Sequence, residues 1–208
     1  MSSRSSMSTN PAAKRVQVDL AKFQADHAAH RMFHIEPARE DGDLFTLKGH
    51  VYGPPGTPYQ GGVFHLEMTI PPTYPFQSPT VRMTTKVWHP NIGDELDSDL
   101  YSTYFFPTFP ADESGHVCLD ILSNRWTAAM SICTTMMSIQ ALLCSPNADD
   151  GLNDVAAEQL MENPNDYEKT VCFWTYHYAV KADDRTAEMV NTNEPLEGGC
   201  AFSIKEKG

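Results

Sequence analysis

The sequence predicts an α+β domain: a first helix, a four-stranded antiparallel meander, an irregular loop and three further helices. Three observations predict it. Apolar residues recur at helical spacing in residues 11–26, short β-rich runs separated by turn residues occupy residues 32–84, and helical patterns return after residue 130. Consecutive strands with short links favour an antiparallel meander that packs on the first helix.

The first helix has a strong start signal. Asn10 is a favourable N-cap, and Pro11 suits the first helical position because its missing N–H needs no partner there. Residues 1–10 are Ser-rich and lack apolar periodicity, so we expect a flexible N-terminal tail before the helix. The apolar face of the helix is formed by Val16, Leu20 and Phe23.

Four runs rich in β-branched and aromatic residues predict the strands, since clusters of Gly, Pro and Asp separate them. A Pro-rich stretch at 71–79 leads into the last strand, and we expect one of its X-Pro bonds to be cis. The predicted strands are Met32 to Ile35, Leu44 to Tyr52, Val63 to Ile70 and Val81 to Thr84.

The C-terminal part predicts three helices. Residues 131–143 are apolar around most of the circumference, which indicates a buried central helix. Residues 153–162 and 164–181 predict two further helices. Residues 182–208 return to a polar composition, so we expect one domain over residues 11–181 and a loose C-terminal tail.

The composition excludes several classes of protein. A net charge of −12 and a pI near 4.9 argue against binding to nucleic acid or to an anionic membrane, because both need a basic surface. We see no run of about 18 apolar residues and no secretory leader, and therefore expect a cytoplasmic or nuclear protein, or one found in both. Five cysteines form no C-x-x-C pair and are odd in number, which favours reduced thiols.

One segment contains most of the candidate catalytic residues. His89, Pro90 and Asn91 are followed by 26 residues and then by Cys118 and, two residues later, Asp120. A cysteine downstream of a structured Asn can act as a nucleophile that carries an acyl group, while the Asn amide stabilises the oxyanion formed during transfer. The segment therefore predicts an acyl carrier.

With Tyr74-Pro75-Phe76 upstream and Asn147 to Leu152 downstream, this segment resembles the ubiquitin-conjugating enzymes over roughly residues 11–180. The resemblance implies that Cys118 accepts ubiquitin from a ubiquitin-activating enzyme as a thioester. It also implies transfer of the ubiquitin to lysines of substrate proteins, usually with a RING or U-box ligase. No cofactor is implied for this chain, since ATP is used by the activating enzyme.

The sequence departs from the family in one place, because the loop between Asn91 and Cys118 is longer than usual. The insert, roughly residues 93–111, has five aromatic residues after an acidic run. Aromatic side chains at this density are not expected to stay in water. They either fold back onto the domain near the active site, which we favour, or form an interaction patch. These residues are Tyr101, Tyr104, Phe105, Phe106 and Phe109.

No residue near Cys118 in the sequence is expected to lower the pKa of its thiol. Residues 87–124 contain seven acidic residues and neither Lys nor Arg, and negative charge disfavours a thiolate. A protease cysteine is the opposite case, because a paired His generates the thiolate. His116 could serve as such a base, since residues i and i+2 of an extended segment share a face. A carrier needs no strong base, however, so we favour a solvated loop residue.

The neighbours of the cysteine divide into catalytic and supporting candidates. Asn91 has two roles that the sequence does not separate: its amide donates to the oxyanion, or it holds the loop by bonding to backbone. His89, before Pro90, is expected to fix the loop as a neutral imidazole, and without further ligands it predicts no metal site. Asp120 is expected to anchor the loop rather than to transfer protons.

Asp150 is the candidate for the amine side of the reaction. A lysine arrives at neutral pH mainly as ammonium, and a carboxylate near the thioester orients it and helps it to lose a proton. The resemblance implies an acidic residue at this position in enzymes that transfer directly to lysine. The alternative is that acidic residues here only cap the next helix, for which Asn153 or Asp154 is well placed.

The resemblance also implies that the first helix and two loops bind the ligase. It implies that the activating enzyme binds the same helix, so that the two partners alternate. Lys14 and Arg15 match basic positions on the helix, and Phe76 beside Pro75 matches an aromatic anchor. Ala129 ends a Thr-Ala-Ala stretch where the family has Ser-Pro-Ala, so the proline is missing. The alternative for Phe76 is packing in the core.

Two functions from different classes remain. The first is an active ubiquitin-conjugating enzyme, and the second is a non-catalytic scaffold or binding module of the same fold in which the insert covers Cys118. Retention of the cysteine argues for the enzyme. Carriers of other ubiquitin-like modifiers, such as SUMO, have the same fold, although residues 58–64 and the overall similarity lean towards ubiquitin.

Overall fold

The computed structural model describes residues 10–93 and 115–180. Its elements are helix α1 (Pro11–Ala25), strands β1 (Phe33–Pro37), β2 (Thr46–Tyr52), β3 (Val63–Thr69) and β4 (Thr80–Met83), and helices α2 (Ile132–Cys144), α3 (Asp154–Glu162) and α4 (Pro164–Trp174). Neighbouring strands pair antiparallel in the order β1-β2-β3-β4, which is the predicted meander. The predicted α+β fold class is confirmed.

One face of the sheet is buried beneath α2, which contacts β1, β2 and α1. Buried and exposed residues alternate along β3, because successive side chains of a strand point to opposite faces. Leu47, Phe64 and Met68 from the inner face join a single core with Val16 and Phe23 from α1. The chain that leaves β4 at the edge of this core leads directly into the predicted site.

Side-chain caps set the starts of the helices. The Asn10 side chain accepts hydrogen bonds from the backbone N–H groups of Ala12 and Ala13, so the predicted N-cap and the helix start at Pro11 are confirmed. Ser131 caps α2 by accepting a backbone N–H in the same way. The structure also contains a cis peptide bond between Tyr74 and Pro75, within the Pro-rich stretch where one was predicted.

Two predictions about the C-terminal helices need correction. Helix α2 is buried along one side rather than around its circumference, because the sheet and α1 cover only that side, and Met137 is 42% exposed. Helix α4 ends at Trp174 and continues as a π-helical turn, Thr175–Ala179. The N–H of Val180 donates to the carbonyl of Thr175, five residues earlier, and apolar spacing alone does not distinguish this wider turn from an α-helix.

The cysteines differ from the prediction at one position. Cys118, Cys133 and Cys144 are free, but Cys172 is disulfide-bonded, so the prediction of reduced thiols is wrong for Cys172. Disulfide formation depends on which sulfur atoms meet in space, and spacing along the chain does not determine that.

The aromatic insert apart from Gly93, the predicted N-terminal tail apart from Asn10, and the predicted C-terminal tail lie outside the described residues. The domain boundaries stay predictions. Within residues 10–93 and 115–180, no helix is long and apolar enough to cross a membrane. In the same part of the chain, no group of three or more His, Cys, Asp or Glu side chains is arranged to hold a metal ion.

Candidate active site

Backbone pairing brings Cys118 next to the His-Pro-Asn segment. Ile92 and Val117, both buried, form an antiparallel bridge, and the N–H of Cys118 donates to the carbonyl of Asn91 at 2.9 Å. The chain therefore leaves for the insert and returns from it at neighbouring points. Lengthening a loop between fixed ends adds little closure entropy, so an insert is compatible with a fixed cysteine.

A glycine fixes the point at which the chain returns. Gly115 has a φ of +72°, and a Cβ on it would lie 2.2 Å from the carbonyl oxygen of Met83. Glycine alone combines this backbone conformation with so close an approach. The carbonyl of Gly115 accepts the N–H of Met83, and its own N–H donates to the carbonyl of Gly93. The segment before Cys118 is therefore joined to the end of β4.

His89 is fully buried and joins the active-site loop to α2. Its Nδ1 accepts the N–H of Asn91 at 2.9 Å, and its Nε2 donates to the carbonyl of Leu142 at 3.1 Å. These partners require the neutral tautomer with the proton on Nε2, since a carbonyl can only accept. Burial lowers the pKa of His89 to about 4, so the ring is neutral at physiological pH. The contacts are those of a supporting residue.

The side chain of Asn91 bonds to the loop that carries Asp150. Its Oδ1 accepts the N–H of Asn147, and its Nδ2 donates to the carbonyls of Asn147 and Asp150, each at 2.8 Å. Both amide hydrogens are therefore used within the fold. Pro90 adds to the same junction, because its carbonyl accepts two backbone N–H groups just before α3. Of the two roles open to Asn91, the structure shows the loop-holding one.

The Cys118 thiol is half-buried and faces carboxylates. Burial raises the pKa of the thiol, and the negative charges of Asp150 and Asp120 raise it further. The raised pKa agrees with the acidic composition of the surrounding sequence. His116 pairs through its backbone with Arg82 and is not among the groups that shift the pKa of this thiol. The structure therefore fits the interpretation of His116 as a loop residue better than its interpretation as a base.

Asp120 begins a 3₁₀ turn, Asp120–Leu122, two residues after Cys118. Its carboxylate pairs with Arg125 at 3.0 Å, and its carbonyl accepts the backbone N–H of Arg125. The side chains of Arg125 and Asp120 are 75% and 52% exposed, so the ion pair contributes at most about 1 kcal/mol. It shapes the loop after Cys118. Arg125 lies one residue beyond the segment without basic residues, and the sequence analysis missed it.

Asp150 lies exposed at the end of another 3₁₀ turn, Ala148–Asp150. The Asn147 side chain caps this turn by accepting the N–H of Asp149, and the Asn153 side chain caps α3. Asparagines therefore supply both caps, and the carboxylate of Asp150 has no capping role. Asn91 bonds to the backbone of both Asp150 and Cys118, which brings the two residues into one site, and the negative charge of Asp150 raises the pKa of the Cys118 thiol.

The predicted partner surface has one unexpected member. Phe76 is 84% exposed, so the alternative of core packing is wrong. Lys14 and Ala129 are exposed as well. Arg15 differs, because its guanidinium donates to two carbonyls of the loop before α2 instead of pointing into solvent. Arg15 therefore bonds to the loop that carries Ala129.

Two hydrogen bonds that the sequence analysis missed connect this surface to the active-site loop. The indole Nε1 of Trp126 donates to the carbonyl of Pro75 at 2.7 Å, and the hydroxyl of Ser78 donates to the carbonyl of Leu122 at 2.6 Å. Both join residues more than 40 positions apart. The loop with the exposed Phe76 and the turn after Cys118 are consequently joined by direct hydrogen bonds.

The α+β fold and its half-buried Cys118 thiol beside two carboxylates are compatible with an acyl carrier. The family model described as ubiquitin-conjugating enzyme matches residues 15–97 and 102–175. Ubiquitin-conjugating enzyme E2 K of Homo sapiens is 40% identical over 154 residues, which are 73% of this chain and 68% of that protein. Ubiquitin-conjugating enzyme E2 27 of Arabidopsis thaliana is 39% identical over 148 residues, which are 71% and 68%.

Solved structures agree. The E2 domain of a Toxoplasma gondii ubiquitin-conjugating enzyme has a TM-score of 0.64 and 32% identity, covering 80% of this chain and 97% of that one. A putative ubiquitin-conjugating enzyme from Plasmodium yoelii has a TM-score of 0.67 and 33% identity, covering 82% and 97%. The chain belongs to the ubiquitin-conjugating enzyme family.

We expect the fold to lose stability between pH 6.5 and pH 4 because of His89. The pKa of this side chain is about 6.5 when unfolded and about 4 when folded, so the unfolded state takes up its proton first as the pH falls. The stabilisation is complete above pH 6.5, and about 3 kcal/mol of it is lost by pH 4. Urea unfolding measured across this range tests the expectation. His89→Gln should make the free energy of unfolding depend less on pH in this range. A variant with the same slope as the parent would contradict the expectation.

We expect the Cys118 thiol to become more reactive when a neighbouring charge is removed. Asp150→Asn lowers the pKa of the thiol and so raises the thiolate fraction at neutral pH. Alkylation by iodoacetamide should accelerate about 2- to 5-fold, the range for an exposed charge interaction. Mass spectrometry of the Cys118 peptide measures the rate, with Cys144 in the same sample as the reference. Equal rates would show that Asp150 does not act on the thiol.

Proposed function

We propose that this protein carries ubiquitin as a thioester on Cys118 and transfers it to the amino group of a substrate lysine. The Cys118 sulfur attacks the carbonyl carbon of the thioester that joins ubiquitin to the activating enzyme, whose thiol leaves with a proton. The lysine nitrogen then attacks the new thioester, an amide bond forms, and the Cys118 thiol is released. The observation that carries the proposal is the half-buried thiol, paired through its backbone to Asn91 and facing two carboxylates.

The raised pKa of the Cys118 thiol suits a carrier. A thiol of high pKa is a poorer leaving group, so its thioester loses the acyl group more slowly to water and to bystander nucleophiles. A protease cysteine has the opposite requirement, because it must be a thiolate before it attacks an unactivated amide. The carboxylates beside Cys118 therefore favour storage of ubiquitin until the substrate amine is positioned.

Asp150 is proposed to act on the incoming lysine. Its carboxylate is exposed, has no capping role, and shares a site with the thiol. It therefore attracts the lysine ammonium and accepts a proton from it as the nitrogen attacks. The substrate amine then lies between the carboxylate and the thioester carbonyl.

Asn91 is proposed to act through Asp150 rather than on the oxyanion. Both hydrogens of its amide are bonded to backbone carbonyls, one of them the carbonyl of Asp150 itself. Donation to an oxyanion would break one of these bonds, which is worth about 1 kcal/mol. Asn91 and His89 therefore serve as positioning residues that hold the turn with Asp150 beside Cys118.

Members of this family work with an activating enzyme and a ligase. We assign the docking of a RING or U-box ligase to the exposed side of α1 with Lys14, to Phe76 beside Pro75, and to Ala129. An exposed aromatic side chain on a fixed loop is the kind of residue that dominates binding energy. The activating enzyme is proposed to use the same helix. ATP is consumed by that enzyme, and this chain itself needs no cofactor.

We expect a single cysteine to carry the modifier. Incubating the chain with ATP, an activating enzyme and ubiquitin should give a reductant-sensitive band on a gel, and Cys118→Ser should give a reductant-resistant ester or no product. Cys133→Ser and Cys144→Ser are matched controls that should load normally. A reductant-sensitive conjugate on Cys118→Ser would sink the assignment. Repeating the reaction with SUMO and its activating enzyme tests the choice of modifier. Failure to load either modifier would refute the carrier role and leave the alternative of a non-catalytic scaffold.

A double-mutant cycle separates the two roles of Asn91. Asn91→Ala and Asp150→Ala should each leave loading nearly intact and slow discharge of the thioester to free lysine about 10-fold or more, the scale for a positioned acid/base group. If Asn91 acts through Asp150, the double variant should be no slower than the slower single variant. Single-turnover discharge measures all four rates. Effects that multiply would mean that Asn91 contributes independently, as an oxyanion donor would.

A further inference from the structure

A buried carboxylate lies beneath the proposed ligase surface. Asp19 of α1 is 1% exposed, although an aspartate is rarely buried so completely without partners. Its Oδ1 accepts the guanidinium Nε–H of Arg15 at 3.0 Å. Its Oδ2 accepts the hydroxyl of Tyr74 at 2.5 Å and the N–H of Ile132 at 3.4 Å. The one side chain thus bonds to α1, to the loop before β4 and to the first residue of α2.

Arg15 extends this network to the second docking loop. Its two terminal guanidinium nitrogens donate to the carbonyls of Ala128 and Met130 at 3.0 and 2.6 Å. Ala129, which we place on the ligase surface, is the residue between them. The planar fork of an arginine can make these bonds together with the bond to Asp19, whereas a lysine ammonium presents no such fork. Arg15 therefore holds the loop with Ala129 from below.

Tyr74 holds the loop with Phe76 from below, through the bond of its hydroxyl to Asp19. It is buried, and the cis bond to Pro75 follows it directly. Burial, followed by the hydrogen bond to Asp19, raises the pKa of its hydroxyl, so the group is a permanent donor. Because Phe76 lies only two residues further on, the position of its exposed ring depends on the anchorage of Tyr74.

The charge of Asp19 makes this network sensitive to small changes. A buried carboxylate is tolerated only when cationic or hydrogen-bonding groups compensate for its lost hydration. Arg15, the Tyr74 hydroxyl and the N-terminal end of α2 supply that compensation. Removing one partner leaves the carboxylate of Asp19 without full compensation, so we expect the remaining partners to move. Because both docking loops are attached to those partners, the loops should move with them.

We propose that Asp19 is a positioning residue for ligase docking, which fixes the loops of Phe76 and Ala129 relative to each other without taking part in the thioester chemistry. The inference rests on the proposed function, because it assumes that these loops bind the ligase. It reassigns Arg15 from a contact residue to the link between Asp19 and the second loop.

The experiment compares two tyrosine variants of the full chain. Tyr74→Phe removes only the hydroxyl that donates to Asp19. Tyr59→Phe is the matched control, since Tyr59 is equally buried but its hydroxyl bonds to the carbonyl of Trp88 and to the hydroxyl of Tyr167. Asp19→Asn removes the charge, and Tyr74→Phe keeps the test decisive if the asparagine variant fails to fold.

The measurements are hydrogen exchange in peptides covering residues 73–78 and 127–131, and the Kd for an isolated RING domain that stimulates discharge by the parent. Tyr74→Phe and Asp19→Asn should speed exchange in both peptides and weaken RING binding roughly 5-fold or more, the factor for one lost hydrogen bond. Discharge to free lysine without ligase should stay at the parental rate. Tyr59→Phe should change neither the exchange in these peptides nor the Kd.

The outcomes separate this inference from the proposed function. Unchanged exchange and affinity in Tyr74→Phe, or equal changes in Tyr59→Phe, would overturn the role of Asp19 while loading of Cys118 continued. Phe76→Ala serves as the check on the surface itself. If it binds the RING domain as tightly as the parent, the surface is misplaced and the inference fails with it. Failure of the parent to form a thioester would instead refute the proposed function.

Discussion

The candidate active site depends on one buried amide, the side chain of Asn91. Its three hydrogen bonds join the His-Pro-Asn segment to a turn that lies 56 residues further along the chain. The carbonyl of the same residue receives the N–H of Cys118. Asn91 therefore contacts both the backbone of the nucleophile and the turn that presents Asp150. Its own orientation is set by His89, which accepts the Asn91 N–H and is neutral because it is buried.

The hydrogen bonds at the two ends of the insert explain how the site accommodates it. The chain departs after Ile92 and returns at Gly115, and the bridge between Ile92 and Val117 closes the gap before the cysteine is reached. The backbone of Cys118 is held by these local pairs, and α2 holds His89 at the other end of the segment. The length of the intervening chain therefore adds only a small entropic cost.

Two hydrogen bonds join the proposed partner surface to the loop that follows Cys118. Trp126 bonds to the carbonyl of Pro75, and Ser78 bonds to the carbonyl of Leu122. Phe76 is exposed between these two attachments. A ligase bound there would contact a loop that is joined directly to the turn after Cys118. Such a junction provides a physical connection between the two loops.

The sequence by itself determined the order of helices and strands, the candidate nucleophile Cys118 and the acidic surroundings of its thiol, because these depend on local periodicity, capping residues and nearby charges. Asn10 and the strand pattern needed no distant partner. Only the tertiary structure decided that Arg15 turns inward and that both hydrogens of the Asn91 amide are used. The Arg15 bond to Ala128 spans 113 residues and the Asn91 bond to Asp150 spans 59, and such long-range contacts leave no periodic signal along the chain.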